Sequence, residues 1–290
     1  MPEDTMIGII CNPTCALGKN RQRMDNVRRL LDEKGVEYEY QETQCPLDGI
    51  RLGKELSERC DTVIAVGGDG TVNEVLTGAY DSDVRFGILP FGTGNDVSRS
   101  LMIHKKTDEE LVDMIMAGNY RDVDCGLFNG RPFMLLVSLG IVSDIIERFH
   151  ALPKAGKATY PRVIMQCLSN QKTIHCHVIL PDREFDCDAD YLTIQNVPTS
   201  AGGLKTNPTG VDNDGHMELY ILSHKSKGRV YGNALAMFRG KLAEQPNCEV
   251  IPVTEVKVKL DQRMTGAFDG DLIEFDEIDM KMGKKLKFLY

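Results

Sequence analysis

The sequence predicts an α/β N-terminal domain with a parallel sheet, followed by a β-rich, sandwich-like C-terminal domain. Three observations predict it. Up to about Tyr120, apolar strand-like runs alternate with segments of helical spacing. Beyond it, short runs of alternating polarity dominate. Three early strands end in polar, glycine-bearing turns, which a parallel sheet would gather on one edge. The expected domains are residues 1–120 and 121–290, with the last strand-like run a candidate to return and pack on the first.

Each element has its own signal. "MIGIICNP" reads as a strand ending in a turn, and residues 19–34 place Met24, Val27, Leu30 and Leu31 at helical spacing. "VEYEYQET" alternates like a second strand, and a helix follows around Pro46 to Arg59. Asp61 to Val66 is an apolar strand, Val72 to Tyr80 a helix, and "VRFGILP" a further strand. In "TDEELVDMIMAGN", Thr107 is the N-cap, Glu110 its capping-box partner, and Gly118 stands near the stop. After Tyr120 the strand-like runs are "RPFMLLVSLG", "TIHCHVIL", "DYLTIQNV", "HMELYIL", "EVKVKL", "LIEFDEIDMKM" and "KLKFLY". Two helices interrupt them, one near Ile141 to Gln171, broken at Pro153 and Pro161, and one at about Arg229 to Gln245. Two domains joined by a short hinge leave a cleft, where small-molecule sites tend to lie.

Composition narrows the function. A net charge of −9 argues against a general nucleic-acid binder. It also argues against bulk attraction to anionic lipid, which a local basic patch could still supply. The longest apolar stretches, such as Phe133 to Val142, fall short of the roughly 20 residues a spanning helix needs. The acidic start, "MPEDTMIGIICNP", does not read as a signal peptide. Nine scattered cysteines suit free thiols in a reducing cytoplasm. His175 and His177 in "IHCHVIL" read as ordinary strand histidines, and Asp186, Asp188 and Asp190 lack the glycine and terminal Glu of a calcium loop.

The chemistry gathers in "VIAVGGDGTVNEVLTGAY". A strand that ends in glycines and leads into a helix suits phosphate. Gly67, Gly68 and Gly70 let backbone N–H groups approach it, and the helix N-terminus adds partial positive charge. A carboxylate beside phosphate is repelled unless a cation lies between them, so Asp69 is a candidate Mg²⁺ ligand. Thr71, Asn73 and Glu74 open the helix, where they can hold the loop or line the site. The competing reading is a tight β–α turn with Asp69 as a helix cap. Two further segments favour a site. "GILPFGTGNDVSRSL" repeats the plan with Gly92, Thr93, Gly94, Asn95 and Asp96, and "IICNPTCALGKN" offers Asn12, Thr14 and Gly18. Neither the Walker A nor the Rossmann glycine pattern is present, so another class of nucleotide site is expected.

These segments, with "NVPTSAGGLKTNPTGVDNDGHMELYIL" and "TGAFDGDLIEF" later in the chain, resemble the diacylglycerol kinase catalytic-domain family, especially its soluble bacterial lipid kinases. The matches run in order from about Ile9 to Phe275. The resemblance implies a fold like that of NAD kinases and diacylglycerol kinases, with a site between the domains, and ATP-dependent phosphorylation of a lipid hydroxyl. It places nucleotide contacts at Asn12, Pro13, Thr14, Cys15, Ala16, Thr43, Gly67, Gly68, Asp69, Gly70, Thr71, Val72, Asn73 and Thr93. It places a structural Mg²⁺ at Asp214, with carbonyls from Val211 and His216, and the proton acceptor at Asp271. Asp69 is assigned to a catalytic Mg²⁺.

Two departures stand out. The late motif reads Asp269-Gly270-Asp271, one methylene shorter than the family's Glu at its end. The first loop carries Cys15-Ala16 where the family has a Ser-Gly pair. On local sequence alone, Asp269 and Asp271 also read as a hairpin turn. Gly-Gly-Asp-Gly occurs in NAD kinases and phosphofructokinases, so a small-molecule kinase stays open, as does a catalytically silent nucleotide-binding protein. Expected partners are a lipid alcohol, peripheral contact with the inner face of a membrane and a second copy of the chain. Basic candidates for membrane contact are Lys154, Lys157 and Arg162, and the tail Lys281, Lys284, Lys285 and Lys287, each with a solvated face as its plainer reading.

Overall fold

The computed structural model describes residues 5–15, 20–150, 163, 166–167, 173–200, 202–223 and 227–290. Ala16, Gly18, Pro153, Pro161, Lys154, Lys157 and Arg162 lie outside the described residues. The chain divides into a first unit, Met1–Cys125 with Lys284–Tyr290, and a second, Gly126–Gly283. The division falls after Cys125, where the change of rhythm in the sequence is placed near Tyr120.

In the first unit, helices alternate with strands. The elements are β1 (Ile7–Cys11), α1 (Asn20–Glu33), β2 (Tyr38–Glu42), α2 (Asp48–Ser57), β3 (Thr62–Gly67), α3 (Asp69–Ala79), β4 (Arg85–Pro90), α4 (Asp96–Ser100), α5 (Asp108–Ala117) and β5 (Tyr120–Val123). A last strand, β15 (Leu286–Leu289), comes from the far end of the chain. The sheet order is β2-β1-β3-β4-β15-β5. Strands β1 and β3 are buried at every position, as expected where helices cover both faces of a parallel sheet. Parallel registers pair Cys11 with Val66 and Gly67 with Pro90, so these strands end level with one another. Helix α5 carries the full capping box of Thr107 and Glu110 and stops at left-handed Gly118. Helices α2 and α3 cross backbone to backbone, because a Cβ on Gly78 would overlap the Ile50 carbonyl. Phe288 of β15 pairs with Phe86 of β4, and their rings stack at 5.5 Å.

The second unit is antiparallel. Its elements are β6 (Gly126–Phe128), β7 (Arg131–Phe133), β8 (Leu136–Gly140), α6 (Ile141–His150), β9 (Ile174–Ile179), β10 (Glu184–Gln195), β11 (Met217–Ser223), α7 (Lys227–Phe238), β12 (Cys248–Val253), β13 (Glu255–Phe268) and β14 (Asp271–Met282). The strands form one nine-stranded sheet, in which β8 and β9 lie end to end in a single lane between β10 and β13. Its main core gathers Phe128, Phe133, Val137, Ile194, Phe268 and Phe275, with ring centroids 5.2–6.2 Å apart among the four phenylalanines. A second core holds Tyr191, Tyr220, Leu222 and Met237 of α7. The run "RPFMLLVSLG" splits into β7 and β8, because the N–H groups of Met134, Leu135 and Leu136 all bond to one carboxylate, that of Asp269.

Phe288 is 1% exposed and lies far in sequence from the strands it joins. Replacing it with Ala should lower unfolding free energy by about 3–5 kcal/mol, the range for a buried aromatic truncation. Urea unfolding of wild type and variant measures this, and a loss under about 1 kcal/mol would show that β15 contributes little to the first unit's core.

Candidate active site

Three loops meet at the carboxyl edge of the first sheet because the ladder continues one residue past the strands. Asn12 N–H donates to the Val66 carbonyl, Thr43 N–H to the Cys11 carbonyl and Phe91 N–H to the Gly67 carbonyl, each at 3.0 Å. The loops after β1, β3 and β4 are thereby laid side by side, with Thr43 after β2 next to the first of them. Asn12 anchors the first loop. Its Oδ1 accepts from Thr14 N–H and the Thr14 hydroxyl, at 3.1 and 2.8 Å, and its Nδ2 donates to Thr71 Oγ1 of α3 at 3.2 Å. Cys15 belongs to the same turn, with its N–H donating to the Asn12 carbonyl at 3.3 Å.

The second and third loops touch through their backbones. A Cβ on Gly92 would overlap the Cα of Gly68, so Gly92 needs to be glycine for this approach, while a Cβ on Gly68 would press on the Gly92 Cα at 3.3 Å. Asn95 holds the third loop from within. It is left-handed, with φ 56°, and its side chain accepts from Gly92 N–H at 3.0 Å while donating to the Pro90 and Gly92 carbonyls. Helix α3 begins at Asp69, and its first internal bond runs from Val72 N–H to the Gly68 carbonyl. The N–H groups of Asp69, Gly70 and Thr71 precede that bond, and the helix dipole makes such a terminus attractive to an anion. Thr71 and Asn73 are buried under the turn, and Thr93 is exposed at the tip of the third loop.

Asp69 does something that the sequence reading split between two alternatives. Its Oδ1 accepts from Val97 N–H at 3.1 Å, so it caps α4, the helix after the third loop, and not its own helix. Burial first, and then the neighbouring Asp96 carboxylate, push the Asp69 carboxyl up from its usual value, against the backbone N–H groups of Val97, Asp96 and Asn95. Asp96 is itself buried. Arg99 Nε lies 3.8 Å from Asp96, so one cation already stands beside the pair, and Asp69 is the member that could hold a divalent ion. Glu74, by contrast, is turned away. Its two oxygens accept from Leu47 N–H and Gly49 N–H at 3.1 Å each, capping α2, which removes it from the site.

A second cluster lies in the second unit. Asp214, His216 and Glu218 bring one ligand atom each within 4.8 Å of one another. His216 Nδ1 is 3.3 Å from Asp214 and its Nε2 is 3.6 Å from Glu218. Glu218 is held by Asn207 Nδ2 at 2.6 Å, and Asn207 in turn accepts from the Tyr220 hydroxyl at 2.9 Å. Burial pushes the Glu218 carboxyl up. Two carboxylates and an imidazole fit a divalent cation, with the His216 ring available in addition to its carbonyl. Sequence reading named Asp214 and His216 but missed Glu218. Strand alternation does not link the three, since only Glu218 lies within β11 and Gly215 between the other two is left-handed, with φ 86°. Val211 is 46% exposed in the preceding loop.

The late tripeptide separates into two roles. Asp269 and Gly270 have φ 47° and 96°, both positive, as a two-residue type I′ hairpin requires, and they join β13 to β14. Asp269 is 3% exposed, and its carboxylate accepts from Met134 N–H and Leu135 N–H at 2.8 Å and from Leu136 N–H at 3.1 Å. Asp271 is the first residue of β14 and is exposed. The buried carboxylate holds the start of β8, and the other stands at the exposed start of β14.

Comparison with known proteins now has geometry to meet. Residues 6–128 match the family described as the diacylglycerol kinase catalytic domain. Residues 136–275 match the YegS C-terminal NAD kinase beta sandwich-like domain. Residues 6–128 belong to the diacylglycerol kinase catalytic-domain family. A diacylglycerol kinase of Bacillus subtilis (strain 168) is 27% identical over 269 residues, covering 91% of this chain and 88% of that protein. One from Staphylococcus saprophyticus is 25% identical, covering 93% and 92%. A crystal structure titled as a diacylglycerol kinase from Bacillus anthracis has the same fold, with TM-score 0.76, 17% identity and coverage of 98% and 96%. The chain is thus a member of a kinase family with an N-terminal parallel-sheet domain and a β-rich C-terminal domain.

Two outcomes follow from the two carboxylate sites. Asp269→Ala leaves three buried N–H groups without their acceptor, so it should cost about 3 kcal/mol or more, whereas Asp271→Asn should leave the melting temperature unchanged. Equal melting of all three proteins would remove Asp269 from its structural role. Divalent ion should raise the wild-type melting temperature, and Asp214→Ala or Glu218→Gln should suppress that rise, since bound metal adds its binding free energy to folding. Identical shifts in wild type and both variants would place the ion elsewhere.

Proposed function

We propose that the protein transfers the γ-phosphoryl group of ATP to the hydroxyl of a lipid alcohol such as diacylglycerol, with Mg²⁺ as the ion. The observation that carries this reading is the level edge of three loops, where glycine backbones, the α3 N-terminus and the Asp69–Asp96 pair adjoin one another. Phosphoryl transfer asks for little covalent chemistry from a protein. It needs placement of the phosphates, cations on their oxygens and a base for the attacking hydroxyl. The backbone N–H groups from Asp69 to Thr71 would cradle the phosphates, with Asn12 and Thr71 fixing the loop that carries them. When bound, Mg²⁺ would neutralise phosphate charge, with Asp69 as its holder. Asp271 would accept the proton of the acceptor hydroxyl, and its exposure leaves it open to a partner molecule.

The names of the relatives support a lipid acceptor, since both curated relatives cited above are called diacylglycerol kinases. A second reading, a small-molecule kinase, draws on the NAD kinase likeness of the second unit. Incubating the protein with labelled ATP and, separately, diacylglycerol, other lipid alcohols, NAD and sugar phosphates separates them. Label in lipid alone supports the proposal, and label in NAD alone overturns it. No helix among the described residues is long and apolar enough to cross a membrane, so a lipid acceptor would be met at a surface.

Two substitutions probe the roles. Asp69→Asn retains an acceptor for Val97 N–H and removes a charge facing Asp96, so the melting temperature should hold while Mg²⁺-dependent turnover is lost. Asp271→Asn should slow turnover roughly a hundred- to ten-thousand-fold with nucleotide affinity unchanged, and Asp271→Glu should retain activity. Calorimetric ATP affinity beside the phosphorylation rate gives both readouts. Full turnover in the Asn variant would exclude Asp271 as the base.

A further inference from the structure

Helix α7 carries its apolar residues on two opposite faces. Asn233, Ala236 and Met237 are buried at 3%, 8% and 6% exposure, and Met237 packs into the core with Tyr191, Tyr220 and Leu222. The face turned away from that core should be polar in a solvated helix. Instead, Tyr231, Leu235 and Phe238 stand there at 43%, 49% and 49% exposure, spaced i, i+4, i+7 so that they form one stripe. Exposed single apolar residues are ordinary, but three in register on one helix are not.

The charge around the stripe is also unlike the rest of the chain. Between Glu218 and Glu244 the sequence holds Lys225, Lys227, Arg229, Arg239 and Lys241 and neither Asp nor Glu, within a protein of net charge −9. Arg239, directly after the stripe, is exposed. A helix with an aromatic and aliphatic stripe and cationic flanks is the form that lies in a membrane interface. A second copy docked face to face would set the same cations against each other, which disfavours self-association here. Lys241 is less suited to that role, since it pairs with Glu244 at 3.4 Å, and so are the tail lysines. Lys285 pairs with Asp124 at 3.3 Å, and Lys284 and Lys287 lie over the rings of Tyr80 and Tyr120 at 5.4 and 5.2 Å.

We propose that the outer face of α7 is the surface by which the protein docks on an anionic lipid bilayer, with Tyr231, Leu235 and Phe238 entering the interface and Arg239 facing lipid phosphates. This rests on the lipid-kinase reading for its purpose, but the docking can be measured without it. Vesicles of phosphatidylcholine with one-third phosphatidylglycerol, and of phosphatidylcholine alone, are sedimented with the full chain in the absence of ATP. Wild type should bind the anionic vesicles, and less so at high salt. Leu235→Ser with Phe238→Ser should weaken binding about tenfold or more, and Arg239→Gln several-fold on the anionic vesicles only. The melting temperature, and activity on short-chain diacylglycerol in detergent micelles, should stay at wild-type values, since these residues are exposed.

No vesicle binding by wild type would overturn the proposal, as would equal binding by wild type and the double variant. So would a double variant that changes only the sedimentation coefficient of the protein alone, which would make the face a contact between copies. Vesicle binding that depends on these residues, without phosphorylation of any lipid alcohol in micelles, would sink the kinase reading and uphold the docking surface.

Discussion

Everything at the edge of the first sheet depends on two backbones being allowed to touch. Gly68 and Gly92 meet where any Cβ on Gly92 would overlap the Gly68 backbone. That contact brings the loop after β3 against the loop after β4, and only then can Asp69 reach across to cap α4 through Val97. The same closeness sets Asp69 beside buried Asp96 and pushes its carboxyl up. A steric allowance thus becomes an electrostatic demand. The loops cannot be adjacent without crowding two carboxylates, and a crowded, desolvated pair is answered by a proton or a cation.

The first unit was largely legible because its signals are local. Continuous apolar strands, helical spacing and the Thr107–Glu110 box each act within a dozen residues, and the structure has these elements where they were expected. The second unit was less so. β12 was overlooked because Pro252 sits inside it, and the strand tolerates this proline by lying at the sheet's edge. The acidic run around Asp186 belongs to a long strand, β10, where it faces His175 and His177 of β9 at 2.7 Å each. Neither segment predicts the other, since register across a hairpin is a property of the pair.

Site residues divide along the same line. Glycines, Asp69, Asn12 and Thr71 can be singled out from strand–turn–helix context, because their task is to shape a loop. What Glu74 does could not be read, since its partners are N–H groups of a different helix. Glu218 is likewise defined by Asn207, from the loop before its strand, which the Tyr220 hydroxyl holds in turn. The Asp-Gly-Asp tripeptide shows how little identity alone decides. Left-handed Asp269 turns inward onto three N–H groups, and two residues later Asp271 has strand geometry and faces solvent. The turn reading therefore holds for Asp269 and Gly270, and the proposed catalytic role falls to Asp271 alone.

Strand β15 has a consequence for the order in which the protein is made. It lies between β4 and β5, yet its residues leave the ribosome after the whole second unit. Until then β4 has an unpaired edge, the Phe86 ring lacks Phe288 as its neighbour, and β5 has no strand to join. The first unit would otherwise be free to mature early on the nascent chain. Here its sheet closes last, so a chain interrupted anywhere in the second unit carries an incomplete first one, with an open strand edge that invites aggregation or proteolysis.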